Sequence, residues 1–371
     1  MVLFILVVYI ALASCAFSQR AARSARDGAS VPAPTSTPAP AAPAVTVMAE
    51  GCIVERFDVP SPSMKRPIHA LVVLPPEYKD HPEKRYPVLY ALHGGYAPYS
   101  CWSEMAPLRR ALRQRPMIVA SFDGDQLGWF IDATRKPDSK YTTFFFDEFV
   151  PHVEAHYRTN GLRGVTGFSM GGFGALHYMF CKPAMFASVS ALSSDYFRLE
   201  EKAAKTDYDL VALLGDPKQN PEEYAKLDLP SRIEKAVKQQ VKLPPMLLHC
   251  STEDGYGLLA ENREFARFLV ERNRIIAEEA AKQAATEPDK VKRDKQTADL
   301  LAARQINFLS MEAPGKHDWT FWRDTSEMVI DFHWRSFRDA PMGNPHSLLP
   351  SAESNSLSGT PKGAPTNNVR K

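Results

Sequence analysis

Between residues 52 and 338, short apolar runs alternate with longer stretches of helical periodicity. Residues 52–59 and 69–74 predict an initial antiparallel pair of strands, the second ended by Pro75-Pro76. Further runs at 87–92, 117–122, 163–166, 187–192, 246–250 and 306–311 are short and largely apolar, as strands covered on both faces must be. Helical patterns fall between them, for example over 144–157 and 261–274, and 324–337 predicts a closing helix. This alternation predicts one α/β domain on a mostly parallel central sheet, with helices on both faces.

Gly167-Phe168-Ser169-Met170-Gly171 sits between one of these strands and a helical stretch that begins at Gly172. A Gly-x-Ser-x-Gly in that setting is the nucleophile elbow of α/β hydrolases. The turn strains the backbone at Ser169, so small residues must flank it, and the hydroxyl is lifted above the sheet towards a helix N-terminus that favours negative charge.

A nucleophilic serine requires a base, and the base requires an orienting carboxylate. In this fold they follow in the order Ser, Asp or Glu, His. The strand at 246–250 empties into Ser251-Thr252-Glu253-Asp254-Gly255-Tyr256, at the sheet end where ligand-facing groups collect. Asp254 is the preferred acid, with Glu253 its rival, since only side-chain direction separates them. His317 falls in Ala313-Pro314-Gly315-Lys316-His317-Asp318-Trp319, a loop expected after the last strand, where the base belongs. Asp318 is its sequence neighbour and poorly placed to accept from the imidazole. The strand at 87–92 opens into His93-Gly94-Gly95-Tyr96, so the N–H groups of Gly95 and Met170 are the candidate oxyanion donors. A plain glycine turn is the alternative, and His93 is expected to bond loop backbone.

His93-Gly94-Gly95, the stretch from Gly167 to Ala175, Cys250-Ser251-Thr252-Glu253-Asp254 and Pro314-Gly315-Lys316-His317-Asp318-Trp319 resemble the esterase D group of α/β hydrolases. That group includes S-formylglutathione hydrolases, feruloyl and acetyl xylan esterases and the antigen 85 mycolyltransferases. The resemblance covers about residues 52–338. It implies Ser169 as nucleophile, Asp254 as acid, His317 as base, and Gly95 and Met170 as oxyanion donors. Two departures stand out: Gly95-Tyr96-Ala97-Pro98 after His93-Gly94, and a charged stretch before the last strand where relatives are usually shorter.

The expected activity is carboxylic ester hydrolysis through an acyl-enzyme, on acyl or feruloyl esters of carbohydrates. An acyltransferase of the antigen 85 type and a non-catalytic binding module are the alternatives. Trp102, Trp129 and Trp319 are expected in loops near strand ends, with Trp319 lining the cleft and Trp322 in the core. Trp319, Tyr96 and Phe168 are the candidate substrate contacts. Residues 196–243 are polar and helical in character, either a cap that shapes the cleft or surface helices without substrate contact. Residues 275–304, divided by Pro288, predict two solvated helices in a surface hairpin.

Composition adds boundaries. The chain has 371 residues, 44% hydrophobic and 24% charged, enough for one large α/β domain plus appendages. A formal net charge of +2 gives no reason to expect nucleic acid as a partner. No Cys or His cluster at ligand spacing points to a metal, and nothing calls for a cofactor. The apolar run at 2–13 has the size of a signal-peptide core, although no Lys or Arg precedes Arg20. Leu12-Ala13-Ser14-Cys15 resembles a bacterial lipobox, in which Cys15 would carry a membrane anchor; an uncleaved hydrophobic anchor is the alternative. The organisation expected is a leader over 1–19, an Ala/Pro-rich linker over 20–47, the catalytic domain over 48–339 and a disordered tail over 340–371, in an exported protein (periplasmic, outer-membrane lipoprotein or secreted).

Overall fold

The computed structural model describes residues 43–205 and 208–340. The leader, Cys15, most of the 20–47 linker and the tail beyond residue 340 lie outside the described residues.

Nine strands form one sheet in the order β1-β2-β3-β5-β4-β6-β7-β8-β9. They are β1 (Ala44–Val47), β2 (Ile53–Val59), β3 (Ile68–Leu74), β4 (Tyr86–Leu92), β5 (Ile118–Phe122), β6 (Thr159–Phe168), β7 (Ser188–Leu192), β8 (Met246–Glu253) and β9 (Phe308–Lys316). β2 and β3 pair antiparallel as predicted, β3 joins β5 antiparallel, and every pairing from β5 through β4 to β9 is parallel. β4, β5 and β7 are buried along their whole length. Period-two geometry divides β4 between two cores: Val88, Tyr90 and Leu92 pack on one face, Leu89 and Ala91 on the other. Helices α1 (Met170–Cys181) and α2 (Leu258–Ala284) supply Leu176, Met179, Phe265 and Leu269 to the first core. The helix α4 (Trp319–Asp339) supplies Val329, Ile330 and Phe337 to the second.

Three boundaries differ from the sequence expectation. β1 lies inside the stretch assigned to the linker; all four of its residues are exposed, so it is held by backbone pairing to β2 and leaves no apolar pattern to read. β6 begins earlier than expected, at Thr159, through a polar stretch. β9 runs on to Lys316, through residues expected as loop, because Ala313 and Lys316 pair with Ser251 and Glu253 of β8. The predicted 144–157 helix opens with a π-helical turn, Phe144–Phe149, whose four phenylalanines are buried, before Val150–His156.

Of the two excursions, 275–304 is a helical hairpin: α2 continues to Ala284, and α3 (Lys290–Arg304) returns, its N-terminus capped by Asp289, which accepts from the Lys292 N–H at 3.0 Å. The other excursion forms short helices at Leu199–Lys202, Leu210–Leu214, Pro221–Ala225 and Leu229–Lys238.

Candidate active site

Ser169 is the single residue between β6 and α1, at φ 54° and ψ −124°. A non-glycine residue in that region costs on the order of 1–3 kcal/mol. Its surroundings hold it there. The Ser169 N–H donates to the Leu192 carbonyl at 2.8 Å, and the Ser169 carbonyl accepts from the Gly172 N–H at 2.9 Å. A Cβ on Gly167 would overlap the Gly171 carbonyl, and one on Gly171 would overlap the carbonyls of Leu92 and His93. The two flanking glycines are therefore steric requirements of the turn.

His317 follows β9 directly and reaches back across the sheet ends. Its Nε2 lies 3.0 Å from Ser169 Oγ, and its Nδ1 lies 2.8 Å from Asp254 Oδ2. The Asp254 side chain is wholly buried, at 0% exposure, and its Oδ1 accepts from the Tyr256 N–H at 3.0 Å. Burial pushes its pKa up, but the hydrogen bond and charge of His317, with backbone N–H groups of Tyr256 and Leu258, outweigh that and hold it below the usual carboxylate value. An ionised Asp254 only accepts, so Nδ1 carries the imidazole proton and Nε2 is free to accept from Ser169. The choice between neighbouring acids is thereby made: Glu253 is exposed. Asp318 is occupied elsewhere, capping α4 by accepting from the Phe321 N–H at 3.1 Å.

The glycine loop after β4 lies across from the elbow. The N–H groups of Gly95 and Met170 donate to no protein group among the described residues, whereas the neighbouring Tyr96 N–H is taken by the Gln126 carbonyl at 3.0 Å. His93 is a structural residue, as expected. Its Nδ1–H donates to the Gly94 carbonyl at 2.8 Å and its Nε2 accepts from the Gly124 N–H at 2.9 Å, and burial pushes its pKa down.

The cleft over Ser169 measures about 210 Å³ and is lined by Gly94, Gly95, Tyr96, Trp129, His317 and Trp322, among others. Tyr96 and Trp129 are where the sequence suggested, but two expected contacts are not in the lining. Phe168 is 0% exposed: as the last residue of β6 it points into the second core, stacked 4.3 Å from Trp322 and tilted against Trp102. Trp319, at the start of α4, packs against that same core. The cleft is faced instead by Trp322, about one helical turn after His317, whose ring stands edge-on to the imidazole at 5.0 Å. Trp102, also expected in a loop, lies in a short helix, fully buried and donating to the Leu92 carbonyl.

Asp195, Tyr208 and Tyr256 were not singled out from the sequence and also line the cleft. Tyr208 comes from the 196–243 excursion, which decides in favour of its shaping the cleft at that point. The only available signal was position: Asp195 follows a strand at its carboxyl end.

A larger apolar groove, about 940 Å³, lies between the second half of α4 and the starts of β8 and β9, away from these residues. Among the described residues no group of three or more His, Cys, Asp or Glu could hold a metal ion, and no helix is long and apolar enough to cross a membrane.

A strained serine at a strand-to-helix elbow, bonded through histidine to aspartate at the carboxyl edge of a parallel sheet, defines a serine hydrolase domain of the α/β-hydrolase fold. Residues 61–257 match the family described as "Putative esterase", and the chain belongs to that family. The matched span contains Gly95, Ser169, Met170 and Asp254, and His317 lies beyond it. The chain is 34% identical over 128 residues to "Esterase Rv1288" of Mycobacterium tuberculosis H37Rv, and equally to "Esterase MT1326" of strain CDC 1551. Each match covers 33% of this chain and 28% of the relative, so the chain spans less than a third of the length of these curated relatives. An S-formylglutathione hydrolase from Agrobacterium tumefaciens superposes with a TM-score of 0.58 at 18% identity, over 80% of this chain and 99% of that one. A ferulic acid esterase gives a TM-score of 0.54 at 22% identity, over 76% and 98%. At such identities these two likenesses concern the fold.

Proposed function

We propose that this protein hydrolyses carboxylic esters through an acyl-enzyme on Ser169, with acyl or feruloyl esters of carbohydrates as the substrate class. The observation that carries the reading is the unbroken chain from Ser169 Oγ to His317 Nε2 and from His317 Nδ1 to Asp254, at 3.0 and 2.8 Å. As Oγ attacks the ester carbonyl, Nε2 takes its proton, and the tetrahedral oxyanion is held by the N–H groups of Gly95 and Met170. Collapse of the intermediate breaks the bond to the alcohol, which leaves with the proton from Nε2. Water then attacks the acyl group, gives its proton to His317, and releases the acid as Ser169 is re-protonated. Family membership and the esterases named above support ester chemistry, and the aromatic lining of the cleft supports a sugar or aryl group.

The test is hydrolysis of p-nitrophenyl acetate, butyrate and octanoate and of methyl ferulate by the wild type and by Ser169→Ala. Turnover that disappears in a folded variant is expected. Turnover that survives would remove Ser169 from its role, and a product ratio that shifts with added alcohol would favour acyl transfer. Export is part of the same proposal, supported by the apolar run at 2–13. Cell fractionation of the full chain, with Cys15→Ala beside it, distinguishes release, anchoring through Cys15 and retention in the cytoplasm.

A further inference from the structure

Asp195 stands three residues beyond the end of β7, at the same sheet edge as the elbow, and is 3% exposed. Its Oδ1 accepts two hydrogen bonds, from Lys202 Nζ at 2.8 Å and from Tyr208 Oη at 2.7 Å. Its Oδ2 has no protein donor among the described residues, and the side chain lines the cleft beside Ser169. The side chain is only 4% exposed, and what is exposed opens on the cleft, so Oδ2 can accept from a group bound there.

The charges around it do not cancel. Lys202 is also paired with Glu261, whose other oxygen accepts from the Tyr196 N–H at 3.2 Å. Two carboxylates thus share one ammonium, and no other cation pairs with either of them among the described residues. Tyr208 adds a donor but no charge: burial first, then the nearby carboxylate, pushes its pKa well above the usual value. Its ring stacks on Trp129 at 5.2 Å, and the Trp129 indole N–H donates to the Tyr208 carbonyl at 2.7 Å, so Oδ1 is fixed and Oδ2 is the oxygen left for a ligand.

We propose that Asp195 is a specificity-determining residue of this cleft, accepting a substrate hydroxyl at Oδ2 and turning away substrates that carry an anionic group near the scissile ester. The proposal rests on the ester-hydrolase reading and narrows it to uncharged, hydroxyl-bearing esters. Lys202 is a positioning residue that acts through Asp195. A salt bridge with only a structural purpose would be indifferent to the charge of the substrate.

The discriminating pair is p-nitrophenyl butyrate against mono-p-nitrophenyl succinate, which differ at the acyl end by a carboxylate. The wild type is expected to prefer the butyrate strongly in kcat/KM. In Asp195→Asn, which leaves Lys202 and Glu261 as a neutral pair, that preference should shrink at least about tenfold. The preference for monoacetylglycerol over ethyl acetate should shrink as well, since an amide replaces the charged acceptor. A preference unchanged within about twofold in a variant with wild-type thermal stability would overturn the proposal. Should that variant fail to fold, the methyl ester of mono-p-nitrophenyl succinate decides with the wild type alone. Capping the carboxylate should bring kcat/KM back to within a few-fold of the butyrate, and a methyl ester turned over as poorly as the free acid would sink charge selection. Absence of any turnover of the butyrate by the wild type would instead defeat the ester-hydrolase reading itself.

Discussion

At the scale of single residues, the site turns on which hydrogen each nitrogen and oxygen holds. Asp254 is ionised and wholly buried, and its value lies in fixing the Nδ1–H tautomer of His317. Asp254→Asn would present an amide N–H or oxygen to Nδ1 and favour the wrong tautomer, so kcat on p-nitrophenyl acetate should fall by about 10⁴-fold. Glu253→Gln, one position away on an exposed side chain, should stay within about threefold of wild type. Equal losses in the two variants would reverse the assignment of the acid. The candidates Ser169, Asp254 and His317 were all legible in sequence, because strand ends and glycine turns announce where a chain exposes chemistry. Which of two adjacent carboxylates faces the imidazole was not, since that depends on the rotation of the chain as it leaves β8.

At the scale of elements, α4 links the base to the lining of the cleft. Asp318 caps its N-terminus, and Trp322 stands edge-on to His317 one turn further on. Loss of a cap costs about 1 kcal/mol. Asp318→Ala should lower the unfolding free energy by about that amount and reduce kcat/KM only several-fold, far less than Asp254→Asn; urea titration beside kinetics checks both. A loss of activity as severe as that of Asp254→Asn would mean that Asp318 takes part in the chemistry. The elbow makes a sharper demand. Gly167→Ala would drive a methyl group into the Gly171 carbonyl, and a destabilisation on the order of 3 kcal/mol with loss of ester turnover is expected. An active Gly167→Ala of wild-type stability would show that the turn can open. The central strands are legible as apolar runs, whereas β1, the polar start of β6 and the end of β9 are not, because pairing there uses backbone groups that every residue carries.

At the scale of the whole molecule, the two cores enclose histidines in neutral form. Burial pushes the pKa of His93, His177 and His249 down, and it takes that of His333, whose ring lies between Ser188 Oγ and Ser190 Oγ, to about 3. In the unfolded chain a histidine titrates near 6.5, so between about pH 6.5 and 3 the unfolded state binds the proton and the folded state does not. His333 therefore contributes stability that is intact above about pH 6.5 and lost on acidification, by about 1.4 kcal/mol per pH unit. Asp254 acts in the same direction at lower pH, since a depressed carboxylate value stabilises the fold only while the group is ionised. Denaturation midpoints measured from pH 7.5 down to 4.5 should fall steadily, and His333→Asn should show a shallower fall from a lower starting point. A midpoint independent of pH across that window would contradict the burial of neutral histidine.

The amino-acid sequence by itself determined the fold class and singled out Ser169 and His317 as the candidate nucleophile and base. Those depend on local patterns: apolar runs that must be buried on both faces, glycines that a tight turn requires, and loops that follow strands. Only the tertiary structure decided that Asp254 rather than Glu253 meets His317, and that Trp322 rather than Trp319 or Phe168 faces the cleft. It alone showed that the 196–243 excursion contributes Tyr208, and that Asp195 waits there with one oxygen unclaimed. These are matters of side-chain direction and of contacts between residues far apart in the chain, and no local pattern encodes the angle at which two distant elements meet.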